Sequence, residues 1–189
     1  MSISKQEYVL VNLPYIKKDL THFKRYADLA YRRFQHKYGE QKTTALYNQY
    51  NAMSLLVGSS SYYRMYKDIF KMIRKFAKTK KPLWMQSWLN IHDEPDLLTW
   101  HNHADSFLHG YVSIDPKDTK TVFANYTIKN KIGNVYLGPS KNYHKVICNK
   151  RFKGKRITIA FDVIDESSIR HTYNKYGEVN INSGFVPIY

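Results

Sequence analysis

The stretch TWHNHADSFLHG, residues 99–110, holds three of the chain's eight histidines and leads into a predicted strand. Within it, His103 and Asp105 form a His-x-Asp triplet. In an extended chain, residues i and i+2 project to the same side, so this imidazole and this carboxylate can bind one metal ion. The spacing therefore predicts two ligands of a metal site.

The remaining ligands of such a site have to come from later in the chain. His144 is the natural third ligand, since it lies on a later predicted strand. Two histidines and a carboxylate on one face leave positions open, which suits Fe(II) that must bind a chelating co-substrate and oxygen. Arg156, on the next predicted strand, can bind the far carboxylate of a 2-oxo acid bidentately. An alternative set, with His101 in place of the carboxylate, would be typical of a cupin-type site.

Length and composition limit the class of protein. The chain has 189 residues, of which 43% are hydrophobic, so we expect one domain that covers residues 1–189. Its single cysteine excludes an intrachain disulfide framework and favours a reducing, cytoplasmic setting. No apolar run approaches the roughly 20 residues of a membrane helix, and we predict no membrane partner.

The net charge of +15 favours anionic partners, including nucleic acid. The alternative is that the charge reflects AT-rich coding, because Asn, Ile and Tyr are abundant as well as Lys.

The first 80 residues are predicted to be mostly helical after one strand. The apolar run YVLVNLPYI, residues 8–16, predicts a buried strand. Apolar residues at steps of three and four from Leu20 to Phe34 predict a helix that Gly39 closes. A second helix is expected over 42–56. A third helix, through residues 62–76, has an apolar face and a basic face.

After Pro82 the pattern changes to short alternating runs with turn residues between them. Six or more short strands at regular spacing favour an antiparallel barrel or sandwich. One further strand is expected within residues 178–188. The six main strands are predicted at 84–90, 107–114, 121–128, 133–137, 143–149 and 155–164.

Four stretches, in this order, resemble the 2-oxoglutarate/Fe(II)-dependent oxygenases, and in particular small bacterial and phage-encoded members. They are WMQSWLN (84–90), HADSFLHGYVSI (103–114), GNVYLGPSKNYHKV (133–146) and KRITIAFDV (155–163). The resemblance covers about 84–164 and not the N-terminal helices. Two residues depart from the pattern: Gly138 stands where a phenylalanine is expected, and His109 stands where a serine is usual.

The resemblance implies a mainly β fold with some α structure, a double-stranded β-helix or jelly-roll. Residues 1–82 would form a strand and a helical buttress, and residues 83–189 would form the β-helix core that carries the site. The implied reaction is oxidative decarboxylation of 2-oxoglutarate, with Fe(II) and O2, coupled to hydroxylation of a substrate C–H. His103, Asp105 and His144 would bind the iron.

The same resemblance suggests residues that contact the co-substrate. Arg156 would anchor it, and strand alternation places Thr158 and Ala160 on the same inward side as Arg156. Further hydrogen-bonding candidates for its carboxylates are Asn90, Tyr111, Tyr126 and Tyr136.

The macromolecular substrate is left open between a protein side chain and a nucleobase. Alkylation-repair enzymes carry a second arginine in the strand of Arg156, and the matching position here is Asp162, so base repair is not assigned. A competing interpretation is a non-catalytic jelly-roll that binds nucleic acid. Another is a cupin-type metalloenzyme that does not use 2-oxoglutarate.

Overall fold

The computed structural model describes residues 8–40, 42–47, 50–93, 98–103, 106–148, 150–166 and 184–188. The helices among them are α1 (Pro14–Lys18), α2 (Leu20–Tyr38), α3 (Ala52–Leu56) and α4 (Ser60–Ala77). The strands are β1 (Val9–Asn12), β2 (Leu83–His92), β3 (Leu108–Asp115), β4 (Thr119–Phe123), β5 (Thr127–Lys129), β6 (Asn134–Pro139), β7 (His144–Cys148), β8 (Arg156–Asp165) and β9 (Val186–Ile188).

These strands form two antiparallel sheets. The larger sheet has the order β1-β6-β3-β8-β2-β9, and the smaller has the order β5-β4-β7. Strands that are distant in sequence become neighbours, as when β8 lies between β2 and β3. Residues of both sheets line one cavity between them. This is the predicted jelly-roll, and the predicted fold class is confirmed.

The larger sheet has two different faces because side chains alternate along each strand. On β8, Ile157, Ile159, Phe161 and Val163 are buried on the face that the helices cover. Helix α2 contacts β3, and α3 contacts β2, so the helices of the N-terminal half cover this face. The opposite face of β8 carries Arg156, Thr158 and Ala160, which line the cavity.

Helix α2 follows its sequence pattern. Phe23, Ala27, Ala30 and Phe34 are buried, at the spacing of one helix face. The helix ends at Gly39, whose φ of 69° is a conformation that glycine adopts without steric cost. Within the part of the chain that the structure describes, no helix has both the length and the apolar character needed to cross a membrane.

The predicted helix over 42–56 is wrong. Among the described residues of this range, 43–47 form turns and the helical residues are those of α3. The reason lies at Asn51, whose side-chain oxygen caps α3 by accepting a bond from the Ser54 amide at 3.2 Å. The Asn51 amide also donates to the Met85 carbonyl on β2 at 3.0 Å. This side chain fixes where the helix starts and ties that point to the sheet.

The first strand also differs from its prediction. Strand β1 is present, but Leu10 and Val11 on it are exposed because β1 is the edge of the larger sheet. The second half of the apolar run, from Pro14, is helix α1 instead, with proline at the first helical turn, where its missing N–H is not needed.

The stretch predicted as one strand over 121–128 is a hairpin of β4 and β5. The Phe123 amide donates to the Tyr126 carbonyl at 2.8 Å, and the two rings stack at 4.4 Å. Apolar and polar residues alternate on both sides of this turn, so the sequence pattern does not reveal the turn. Of the strand expected within 178–188, β9 is present, and residues 178–183 lie outside the described residues.

Candidate active site

A cavity of about 320 Å³ lies between the two sheets. Its wall comes from β2, β3 and β8 of the larger sheet and from β4 and β7 of the smaller one. Leu98, Thr99 and residues 101–103, before β3, and the turn before α3 line it as well. The polar and charged side chains in the wall are Thr44, Asn90, Thr99, His101, Asn102, His103, His109, Thr121, His144, Arg156 and Thr158.

His103 is fixed at both its backbone and its ring. Its amide donates to the Ser140 carbonyl at 2.9 Å, and its Nδ1 lies 3.0 Å from Asp162 Oδ2. Among the described residues, its buried Nε2 has no hydrogen-bond partner. A buried polar atom without a partner is costly, so this nitrogen is a strong candidate for a metal ligand.

His101 and His144 come together through their backbones. Each amide donates to the other's carbonyl, at 3.0 and 2.9 Å, and the ring centroids are 4.4 Å apart. His101 Nδ1 lies 2.7 Å from the Thr99 carbonyl, and His144 Nδ1 lies 3.1 Å from the Asn142 carbonyl. A carbonyl only accepts, so each Nδ1 carries the proton and each Nε2 keeps a lone pair for a ligand.

The imidazoles are kept neutral, as metal binding requires. Burial, together with the neighbouring His109, lowers the pKa of His144 to about 2. Burial also lowers the pKa of His101. At neutral pH both rings are therefore uncharged.

Three sets of metal ligands remain possible at this place, and one of them is His103, His109 and Asp162, whose ligand atoms lie within 4.8 Å of one another. Asp105 lies outside the described residues, so the predicted set of His103, Asp105 and His144 stays a prediction. The ligand atoms of His101, His103 and His144 lie within 4.8 Å of one another. The structure thus brings together both predicted histidines and the histidine of the cupin-type alternative.

Arg156 begins β8 and is buried in the cavity wall. One end of its guanidinium, Nη1, lies 3.1 Å from His92 Nδ1 on β2. Its Nε is buried and has no hydrogen-bond partner among the described residues. Burial lowers the pKa of Arg156 to about 10, which still leaves it charged at neutral pH. A fixed, buried cation with a free donor is suited to bind a carboxylate.

Three further co-substrate candidates line the same cavity: Asn90, Tyr111 and Thr158. Asn90 Oδ1 accepts a bond from Thr44 at 2.6 Å, and the Tyr111 hydroxyl donates to Asn130 at 3.1 Å. All three side chains line the cavity, and their role in binding stays a prediction.

Tyr126 and Tyr136 are not among the described residues that line the cavity. Their hydroxyls lie 3.0 Å from each other. The structure therefore offers no support for co-substrate contact by these two tyrosines.

Sequence reasoning gave no role to His109 and Asp162. Cross-strand pairing places them opposite each other, on β3 and β8, and His109 Nδ1 lies 2.8 Å from Asp162 Oδ1. Burial tends to raise the pKa of Asp162, but the hydrogen bonds from His103 and His109 outweigh it and lower the pKa to about 2. A signal was present: Asp162 interrupts the apolar run of β8, and it is an even number of residues from Arg156, so both side chains lie on the same face of the strand.

The residues present fit a ferrous ion with a 2-oxo acid. The buried Nε2 of His103, the available Nε2 of His144 and the buried cation of Arg156 all face one cavity. Imidazole nitrogen is a preferred ligand of iron, and a guanidinium binds a carboxylate bidentately. The arrangement can therefore hold a metal and an anionic co-substrate together.

No protein-family model and no curated protein matches the chain. Several solved structures, however, match the chain in fold. The non-heme alpha ketoglutarate dependent carbocyclase SnoK from nogalamycin biosynthesis matches with a TM-score of 0.65 and 11% identity, over 97% of this chain and 92% of that one. The epimerase SnoN, in complex with Fe3+, alpha ketoglutarate and nogalamycin RO, matches with a TM-score of 0.53 and 12% identity, over 84% and 79%.

A third match, a nickel complex of the non-heme monooxygenase ThoJ, has a TM-score of 0.54 and 12% identity, over 84% of this chain and 74% of that one. Identities this low make the comparison one of fold. The first of these matches extends over nearly the whole of both chains. The chain therefore has the double-stranded β-helix fold of the 2-oxoglutarate/Fe(II)-dependent oxygenases.

Proposed function

We propose that this protein is a 2-oxoglutarate- and Fe(II)-dependent dioxygenase. The observation that carries the proposal is the meeting of His103, His144 and Arg156 in one cavity, with the buried Nε2 of His103 left without a partner among the described residues. The fold shared with SnoK and SnoN agrees with it.

Each side chain has a distinct task in this proposal. His103, Asp105 and His144 hold the metal, and Arg156 binds the far carboxylate of 2-oxoglutarate, while the ferrous ion, when bound, supplies oxygen activation and the oxidative chemistry. Asn90 and Thr158 line the same cavity as Arg156 and would orient the co-substrate. Trp88, in the cavity wall, helps to exclude water.

The test is anaerobic addition of Fe(II) and 2-oxoglutarate to the metal-free protein. We expect a visible charge-transfer band, which reports chelation of the metal by the 2-oxo acid. The band should disappear in His103→Ala and in Asp105→Ala. A wild-type protein that binds Fe(II) but shows no band would contradict the proposal.

A matched pair of variants separates the two candidate ligand sets that contain His144. If the carboxylate is a ligand, Asp105→Ala loses the band and His101→Ala keeps it. The reverse result would assign the metal to the His101, His103 and His144 set. Fe(II) binding that is lost in His101→Ala, with no band in the wild type, would favour a cupin-type metalloenzyme that does not use 2-oxoglutarate. The specific observation in favour of this second function is the closeness of the His101, His103 and His144 ligand atoms.

For the substrate we propose a C–H of a protein or a nucleic acid, hydroxylated or oxidatively demethylated. The net charge of +15 supports a polyanion. Succinate release should be measured with oligonucleotides and with peptides as separate additions, and stimulation by one class identifies it. Salt-sensitive binding of oligonucleotides with no succinate release would instead indicate a non-catalytic nucleic-acid-binding jelly-roll. The reducing cytoplasm remains the predicted compartment.

A further inference from the structure

Asp162 lies between two imidazoles. Strand β8 places it on the cavity side of the sheet, opposite His109 on β3, and its side chain is only 6% exposed. Its two carboxylate oxygens contact different histidines: Oδ1 lies 2.8 Å from His109 Nδ1, and Oδ2 lies 3.0 Å from His103 Nδ1. Each oxygen of the carboxylate thus has one histidine partner.

The two rings that Asp162 contacts are themselves packed together. The His103 and His109 centroids are 3.8 Å apart, with an angle of 9° between the ring planes. Trp88 lies beside them, with its ring centroid 5.6 Å from that of His103. The orientation of the His103 ring is therefore set by a carboxylate at one edge and by aromatic neighbours at its faces.

The chemistry of a carboxylate determines the proton positions in this cluster. An ionised carboxylate only accepts hydrogen bonds, so both Nδ1 atoms must carry protons. A neutral imidazole with its proton on Nδ1 has its lone pair on Nε2. For His103, that is the buried nitrogen that has no partner among the described residues.

We propose that Asp162 is a positioning residue for the metal centre. It fixes His103 in the Nδ1–H tautomer, with the Nε2 lone pair directed into the cavity, and His109 holds the carboxylate in place as its second donor. This inference rests on the proposed function only in taking His103 as a metal ligand. Residues that orient metal-bound histidines in this way commonly change metal affinity by about 10–100-fold when mutated.

Asp162→Asn gives a sharp test, because an amide has one accepting oxygen and one donating nitrogen. Only one of the two histidines can then keep its Nδ1–H bond, and the other must move its proton to Nε2. We expect a mixture of His103 tautomers in the metal-free variant, where the wild type shows the Nδ1–H form alone. Nitrogen-15 NMR of histidine-labelled protein measures this without metal or turnover.

The same variant should bind Co(II), a spectroscopic substitute for Fe(II), about 10–100-fold more weakly than the wild type. The matched control is Asp115→Asn. It makes the same chemical change at the end of β3, where the carboxylate pairs with Lys24 and Lys117 away from the cavity. This control should leave both the His103 tautomer and Co(II) affinity unchanged.

A double variant separates positioning from a general loss of structure. In Asp162→Asn with His109→Gln, the Asn oxygen can accept from His103 while its amide donates to the Gln carbonyl. We expect the Nδ1–H tautomer to return and Co(II) affinity to recover at least threefold over Asp162→Asn. If Asp162→Asn proves too unstable to study, the double variant is compared with His109→Gln alone, and the two should share the Nδ1–H tautomer.

Two results would overturn the inference. One is an unchanged His103 tautomer together with unchanged Co(II) affinity in Asp162→Asn. The other is a wild-type His103 that carries its proton on Nε2. Neither result bears on the charge-transfer band of the wild type, and a missing band would not alter the tautomer. The failure of this inference and the failure of the proposed function are therefore distinguishable.

Discussion

The two faces of the six-stranded sheet are built from the same strands but carry different kinds of side chain. On β8, the helix-covered face carries Ile157, Ile159 and Phe161, and the cavity face carries Arg156, Thr158 and Asp162. Both faces are buried, so burial alone does not separate them. They differ in what the neighbouring layer supplies: apolar helix surface on one side, and polar partners around a cavity on the other.

The two faces therefore contribute differently: the helix-covered face stabilises the fold, and the cavity face provides the groups that can bind a ligand. On the helix-covered face, apolar side chains are removed from water and contribute to folding roughly in proportion to the area they bury. On the cavity face, buried polar groups cost free energy unless they are paired. The unpartnered donors and acceptors therefore mark the face where a ligand belongs.

Phe161→Ala tests the helix-covered face and should have the largest effect. Phe161 is fully buried, and its ring lies against Gly110 on β3. Truncation should lower the free energy of unfolding by about 3–5 kcal/mol, measured by urea denaturation. Co(II) affinity of the folded protein should change little, since the side chain points away from the cavity. Phe161→Leu is the control and should cost clearly less, and a large loss of Co(II) affinity would contradict the division between faces.

Arg156→Lys tests the cavity face at nearly constant charge. Lysine cannot bind a carboxylate bidentately, so we expect the dissociation constant for 2-oxoglutarate to rise about 10–100-fold. Titration of the charge-transfer band measures it. Lys155→Ala, which removes the neighbouring cation that pairs with Asp28 outside the cavity, should leave the constant unchanged. Equal losses in both variants would show that general charge, and not a specific anchor, binds the co-substrate.

The pH dependence of the free energy of unfolding, measured on the metal-free protein, tests whether His109 on the cavity face is uncharged in the folded state. Burial lowers the pKa of His109 to about 4, whereas the unfolded chain binds this proton near the ordinary value of 6.5. Between these values the unfolded state binds more protons, so the free energy of unfolding falls as the pH falls. We expect a slope of up to about 1.4 kcal/mol per pH unit from this residue, measured by urea denaturation between pH 7 and 4. The slope should be shallower in His109→Gln, and an identical slope would show that His109 does not titrate this way.

Tyr62→Phe tests a polar contact within the helical layer and should have the smallest effect. The buried Tyr62 hydroxyl donates to the Phe23 carbonyl at 2.7 Å, which links α4 to α2. Loss of one such bond should reduce the free energy of unfolding by about 1 kcal/mol, as measured by thermal or urea denaturation. Tyr63→Phe, at an exposed neighbouring position, is the control and should change stability by less than about 0.5 kcal/mol. Equal effects would mean that the buried bond contributes nothing.

Local patterns were sufficient to predict most of the strands after Pro82, the apolar stripe of α2, and the inward side of β8. Alternation and helical spacing depend only on backbone geometry, which neighbouring residues determine. The same patterns failed where one side chain makes a distant bond. Asn51, tied to β2, shortens α3, and the turn at Phe123 and Tyr126 divides one apparent strand into two.

The order of His103, His144 and Arg156 along the chain was enough to suggest a metal site with an anionic co-substrate. It offered His101 only as an alternative ligand, and it could not reveal that His101 pairs with His144 through the backbone or that His109 and Asp162 pair across the sheet. Those contacts depend on strand register and on the approach of the two sheets. Both are properties of the assembled tertiary structure, because they join residues that are far apart in sequence.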